Sequence, residues 1–99
     1  MRISYTAEAI HDLERLRAFV ESKNPHAARR IAAELLDGID NLVVFPDMGL
    51  PVRRAPNPEL IRDLFVENYT LRYLREEGSI IILRIWHGKE SEKDSQQGV

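Results

Sequence analysis

Between Leu60 and Lys89 the chain carries three short runs, 60–67, 69–76 and 79–86, rich in isoleucine, leucine, valine and tyrosine and separated only by Glu67-Asn68 and Glu77-Gly78. Breaks of that length and composition close hairpins, so this third of the molecule predicts an antiparallel meander of three strands. Each run also carries arginine: Arg62 in the first, Arg72 and Arg75 in the second, Arg84 in the third, which ends Trp86-His87-Gly88-Lys89. A cation on a central strand needs a partner, supplied from within or by a bound anion or protein, and this makes Arg72 and Arg84 the strongest functional candidates.

The first half has a different period. Ile3-Ser4-Tyr5 alternates like a short strand, and Thr6 is placed to cap a helix whose apolar positions Ile10, Leu13, Leu16 and Val20 recur every three or four residues. That helix spans about 7–22. Asn24-Pro25 restarts the pattern, because asparagine caps and proline is tolerated at a first helical position. A second stripe from Ala28 through Ile31, Leu35, Ile39 and Leu42 runs to about Val44, where Pro46 stops it and a loop with Gly49, Pro51, Pro56 and Pro58 follows. The order β-α-α-β-β-β predicts an α+β fold of two layers, with a helical hairpin packed on one face of an antiparallel sheet. The first strand finds its partner among the last three. Alternation sets Thr70, Arg72 and Leu74 opposite Tyr69, Leu71 and Tyr73, and groups Arg84 with Ile82 and Trp86, opposite Leu83, Ile85 and His87.

Ninety-nine residues suit one domain, taken as 1–89, and the polar segment 90–99 reads as a flexible tail. No apolar run is long enough to cross a membrane and the start lacks a signal-peptide pattern, which together predict a cytoplasmic protein. Without cysteine, and with His11, His26 and His87 scattered, the chain offers no metal site and calls for no cofactor. The net charge of −2 argues against a protein whose main work is gripping phosphates. Residues 53–89 nonetheless hold seven bases against five acids, leaving the sheet half mildly basic.

Cleavage of RNA at a 2′-hydroxyl needs a base, an acid and cations for the developing charge. His87, Tyr69, Tyr73 and the arginines are the available groups. The tyrosines share a strand face and fit a core role with hydroxyls at the rim, and Trp86 fits packing equally well.

These residues, in this order, resemble the ParE/RelE toxins of bacterial type II toxin–antitoxin systems of the plasmid-stabilisation type. The likeness rests on the strand-helix-helix start, on Leu42-Val43-Val44-Phe45-Pro46 with Gly49 and Pro51 after it, and on the arginine-bearing strands ending in His87-Gly88-Lys89. It implies a RelE/ParE-like fold, a cognate antitoxin as partner, and one of two targets: DNA gyrase for ParE-like members, or the ribosome and its mRNA for RelE-like ones. Where nucleolytic members carry bases this chain has Asp63, Thr70 and Glu90, and no tyrosine follows Tyr73. The resemblance therefore points to the ParE branch, a gyrase inhibitor without catalytic residues. Arg62, Arg72, Arg84, Trp86, His87 and Lys89 are then expected to contact antitoxin or target. The alternatives are a ribosome-dependent mRNA interferase working through His87, Arg84 and Arg72, and a non-toxic binding module of the same fold.

Overall fold

The protein is described by a computed structural model over residues 1–88. Strand β1 (Arg2–Tyr5) leads into helix α1 (Ala7–Lys23) and helix α2 (Pro25–Val44). A two-residue strand β2 (Leu50–Pro51) and the meander β3 (Ile61–Val66), β4 (Tyr69–Glu76) and β5 (Ser79–His87) complete it. The sheet order is β1-β5-β4-β3-β2, with the helical hairpin forming the second layer. The predicted tail, residues 90–99, and Lys89 lie outside the described residues.

Both helices start where the sequence places them. Thr6 accepts a hydrogen bond from the Ala9 N–H at 3.0 Å, and Asn24 accepts from His26 and Ala27 at 3.0 and 3.1 Å, with Pro25 at the first helical position. The buried face of α1 is rotated from expectation. Ala9, Asp12 and Leu16 point inward while Ile10 remains 47% exposed, so a carboxylate occupies the centre of the helix's inner face. The core gathers Leu16, Leu35, Ile39 and Leu42 from the helices against Leu64, Leu71, Tyr73, Ile80, Ile82 and Ile85 from the sheet.

The sheet departs from the expected antiparallel one in three places. First, β1 pairs in parallel with β5, Arg2 with Ser79 through Tyr5 with Ile82, which makes the sheet mixed. The Thr6 N–H extends that ladder one step to the Ile82 carbonyl at 3.0 Å before the chain turns into α1. Second, Leu50 and Pro51, assigned to the loop by the sequence, pair with Asp63 and Arg62 at the outer edge, a position where the missing proline N–H is harmless. Third, Tyr73 opposes Ile82 but Arg72 opposes Arg84, so Leu83 is an extra residue bulging from β5. The bulge corrects the grouping of Ile82 with Arg84 and Trp86. Ile80, Ile82 and Ile85 are all fully buried in the core, and Arg84 and Trp86 are paired with Arg72 and Thr70 instead.

The loop after α2 is locked by one side chain. The buried Tyr73 hydroxyl donates to the Pro46 carbonyl at 2.7 Å and accepts from the Gly49 N–H at 3.0 Å. Gly49 has to be glycine because a Cβ there would stand 2.7 Å from the tyrosine ring and hydroxyl.

Candidate functional site

The arginines of the sheet are placed by its register. On β4 the odd positions Tyr69, Leu71 and Tyr73 enter the core, which turns Thr70 and Arg72 to the face away from the helices. Asp63 lies directly across from Arg72 on β3, and the pair is bidentate: Nε to Oδ1 at 2.8 Å and Nη2 to Oδ2 at 3.0 Å. The Arg72 guanidinium also lies 5.1 Å from the centre of the Trp86 ring, at cation–π distance, and Trp86 is only 6% exposed. Phe65, next along the same face, is 58% exposed.

Arg84 sits across from Arg72, and two guanidiniums facing each other on neighbouring strands repel unless each has its own counter-charge. Arg84 takes Asp12 of α1, Nε to Oδ2 at 2.8 Å and Nη2 to Oδ1 at 3.2 Å. The same carboxylate accepts the Ile85 N–H at 2.9 Å and an Arg15 donor at 3.3 Å. Among the described residues, no strand lies beside the outer edge of β5 past Ile82. Thr6 Oγ1 donates to the Leu83 carbonyl at 2.8 Å and Asp12 takes the Ile85 amide, so side chains finish what β1 leaves open. Burial alone would raise the Asp12 carboxyl, but Arg84, the Ile85 amide and Arg15 outweigh it and hold its pKa below the ordinary carboxylate value.

Arg62 is built into the loop that leaves α2. It donates to the carbonyls of Glu59 at 3.0 Å and Gly49 at 2.9 Å, and its side chain is only 13% exposed. His87 is elsewhere again. It pairs with Tyr69 across β4 and β5, and the two rings meet edge to face at 5.0 Å, on the helix side of the sheet. Lys89, the last of the expected contact residues, lies outside the described residues. Thus Arg72, Trp86 and Arg84 come together on β4 and β5, Arg62 stands at the opposite edge, and His87 belongs to the other face.

The sequence reading missed the two carboxylates that set this charge balance. Asp63 was legible as a departure from a basic pattern, but not as the Arg72 partner, since that requires the strand register. Asp12 has a clearer signal: it lies three residues after Ala9 and four before Leu16, on the face that turns inward.

A helical hairpin on a five-stranded mixed sheet, its face arginines held by carboxylates, makes this a small two-layer α+β protein. The family model described as the ParE toxin of the type II toxin–antitoxin system parDE matches residues 3–92. The chain belongs to that family. It is similar to Toxin RelE2 of Caulobacter vibrioides, 30% identical over 86 residues covering 87% of this chain and 93% of that protein. Toxin RelE1 of the same organism is 31% identical, covering 86% and 90%. A solved structure of the chromosomal ParDE system from P. aeruginosa superposes with a TM-score of 0.71 over 88% of this chain and 95% of that one, at 22% identity. The fold is therefore that of a ParDE component, and the chain is the toxin of a type II toxin–antitoxin pair.

Proposed function

We propose that this toxin acts by binding rather than by cleavage, as a ParE-like inhibitor of DNA gyrase in the cytoplasm, silenced by a cognate antitoxin. The observation that carries the reading is the separation of the nuclease candidates. His87 faces the helix side against Tyr69, Arg72 lies on the opposite face, and both Arg72 and Arg84 already hold carboxylates. General acid–base chemistry needs its groups within about 3 Å of one reacting centre, with cations aimed at the developing charge. A base and the Arg72 cation on opposite faces of the sheet do not meet that demand. The overall charge of −2 also opposes approach to a polyanion such as the ribosome.

The face around the exposed Phe65 and the partly buried Arg72–Asp63 pair, with Trp86 against the Arg72 guanidinium, is the surface assigned to partner contact, and Arg62, His87 and Lys89 are assigned to contact as well. The antitoxin is assigned to the helical hairpin as well, where an apolar cleft of about 170 Å³ opens between α1 and α2, lined by Leu13, Leu16, Val20, Ile31, Leu35 and Tyr69. Purified toxin added to gyrase and relaxed plasmid should block supercoiling or trap cleaved DNA, and should leave mRNA on programmed ribosomes intact. Intact supercoiling at micromolar toxin together with codon-positioned mRNA cleavage would install the interferase instead. Absence of both effects, with normal growth on induction, would leave a non-toxic binding module.

A further inference from the structure

The helical hairpin is packed down along only part of its length. The buried residues of α1 are Ala9, Asp12 and Leu16, and those of α2 are Leu35, Gly38, Ile39 and Leu42, all of them away from the turn at Asn24. From Arg17 through Glu34 no residue is buried, and the partly buried Ile31 is what this outer half adds to the core. Helices in small domains are held mainly by the apolar face they bury, so a stretch that buries little opens locally well before the domain unfolds. Val20, Ala28 and Ile31 of the same stretch line the cleft of about 170 Å³ between α1 and α2, with Tyr69 of β4 facing them. Movement of the outer half therefore changes the width of the cleft.

An ion pair ties this outer half to the sheet. Arg30 Nη1 donates to both Glu67 oxygens at 2.9 Å, and to Glu34 Oε1, one turn along its own helix, at 3.3 Å. Glu67 stands on a fixed post. Val66 and Tyr69 pair on either side of its two-residue turn, and the Asn68 carbonyl accepts the Gly88 N–H at 2.6 Å. The Glu67 φ of +54° lies in the left-handed region, which glycine adopts freely and glutamate does not. Glycine would suit that backbone but would lack the carboxylate that holds Arg30. The bridge is releasable, because its side chains are 56% and 42% exposed and such pairs are weak and screened by salt. Glu34 leaves Arg30 a counter-charge when Glu67 lets go. The inner half has the opposite kind of anchor, since the Asp12 carboxylate that holds Arg84 is buried.

We infer that residues 17–34 form a hinged lid on this cleft, latched to the β3–β4 turn by Arg30 on Glu67, and that release of the latch widens the cleft for an incoming apolar side chain. The hinge falls at Leu16 and Leu35, the buried residues that flank the outer half on the two helices. The lid stands without any partner. That the antitoxin is what enters rests on the assignment of that partner to the cleft, and the latch then sets how readily it gains access.

Amide hydrogen exchange on the full-length toxin, parent against Glu67→Gln and Glu67→Gly, tests it. Glu67 lies outside the lid, so its replacement reaches residues 17–34 through the bridge and not through helix propensity. Both variants should speed exchange in 17–34 by about two- to fivefold relative to 35–44, the span an exposed ion pair covers. High salt should do the same to the parent and add nothing to the variants. Glu67→Gly also relieves the left-handed backbone, so it should melt no lower than the parent, a combination that general destabilisation does not produce. Antitoxin association followed by stopped flow should quicken in the same variants. Exchange in 17–34 no faster than in 35–44 in the parent, acceleration spread evenly over both segments, or no acceleration in either variant would overturn the lid. Faster lid exchange with unchanged antitoxin association would keep the lid and move the antitoxin off the cleft, which overturns that earlier assignment alone.

Discussion

Asp12 joins the two layers more than any other polar side chain described. Its carboxylate is buried, holds Arg84 and Arg15, and caps an edge amide that would otherwise be stranded. Asp12→Ala should lower stability by about 2–3 kcal/mol, less than the roughly 3–5 kcal/mol of a fully buried pair because a third of the Arg84 side chain already meets water. Chemical denaturation at pH 7 measures that loss. The pH dependence has a definite sign. The folded carboxyl is depressed below its unfolded value, so its contribution is complete above about pH 4 and is lost as pH falls through the folded pKa. The gap between parent and Asp12→Ala should therefore narrow under acid; a gap that widens below pH 4 would contradict the ion-pair account. Tyr73→Phe removes one hydroxyl and the two hydrogen bonds it makes. It strands the buried Gly49 N–H and should cost about 1–3 kcal/mol with little change in packing.

At the scale of elements, the junction of β1 and α1 rests on one hydroxyl. Thr6 Oγ1 caps the helix and bonds the bulged Leu83 carbonyl, so Thr6→Ala should destabilise by about 1–2 kcal/mol and thermal denaturation should show a melting point several degrees lower. Replacement by serine, which keeps the hydroxyl, should recover most of the loss. Much at this scale was legible in the chain itself. Thr6 and Asn24-Pro25 announce the helix starts because capping is local chemistry, and the two-residue breaks at Glu67-Asn68 and Glu77-Gly78 announce the meander for the same reason. The parallel seat of β1 was not legible, because direction is decided by which edge the meander leaves open. The bulge was hidden by composition: Ile80 to Ile85 is apolar apart from Arg84, so no alternation marks where Leu83 slips the register. Strand β2 was hidden by its length and its proline. The site shared this fate, since Arg72 and Arg84 could be named from the strands but their partners Asp63 and Asp12 follow from register and helix rotation.

Across the whole molecule the sheet acts as a partition: one face is committed to the helices and core, and the other shows the guanidinium–tryptophan stack beside an exposed phenylalanine. His87 stands on the committed side, next to Tyr69 and the helical cleft. For an inhibitor that binds through surfaces, His87→Gln should spare inhibition of supercoiling to within about twofold, provided circular dichroism shows the fold intact. For a nuclease that uses the imidazole in proton transfer, the same change should cost about 10²–10⁴-fold in cleavage rate. Charge reversal at Arg72 has the opposite expectation. Arg72→Glu sets two carboxylates against each other on neighbouring strands and removes the cation stacked on Trp86, so partner binding through this face should weaken at least tenfold, about 1.4 kcal/mol or more. Asp63→Arg introduced into the same chain should recover part of that binding, because it restores the ion pair with its signs exchanged. Titration calorimetry reads the antitoxin, and the supercoiling assay reads the proposed target separately. Retained binding of both by a folded Arg72→Glu protein would move the contact surface away from the arginine face and onto the helical side.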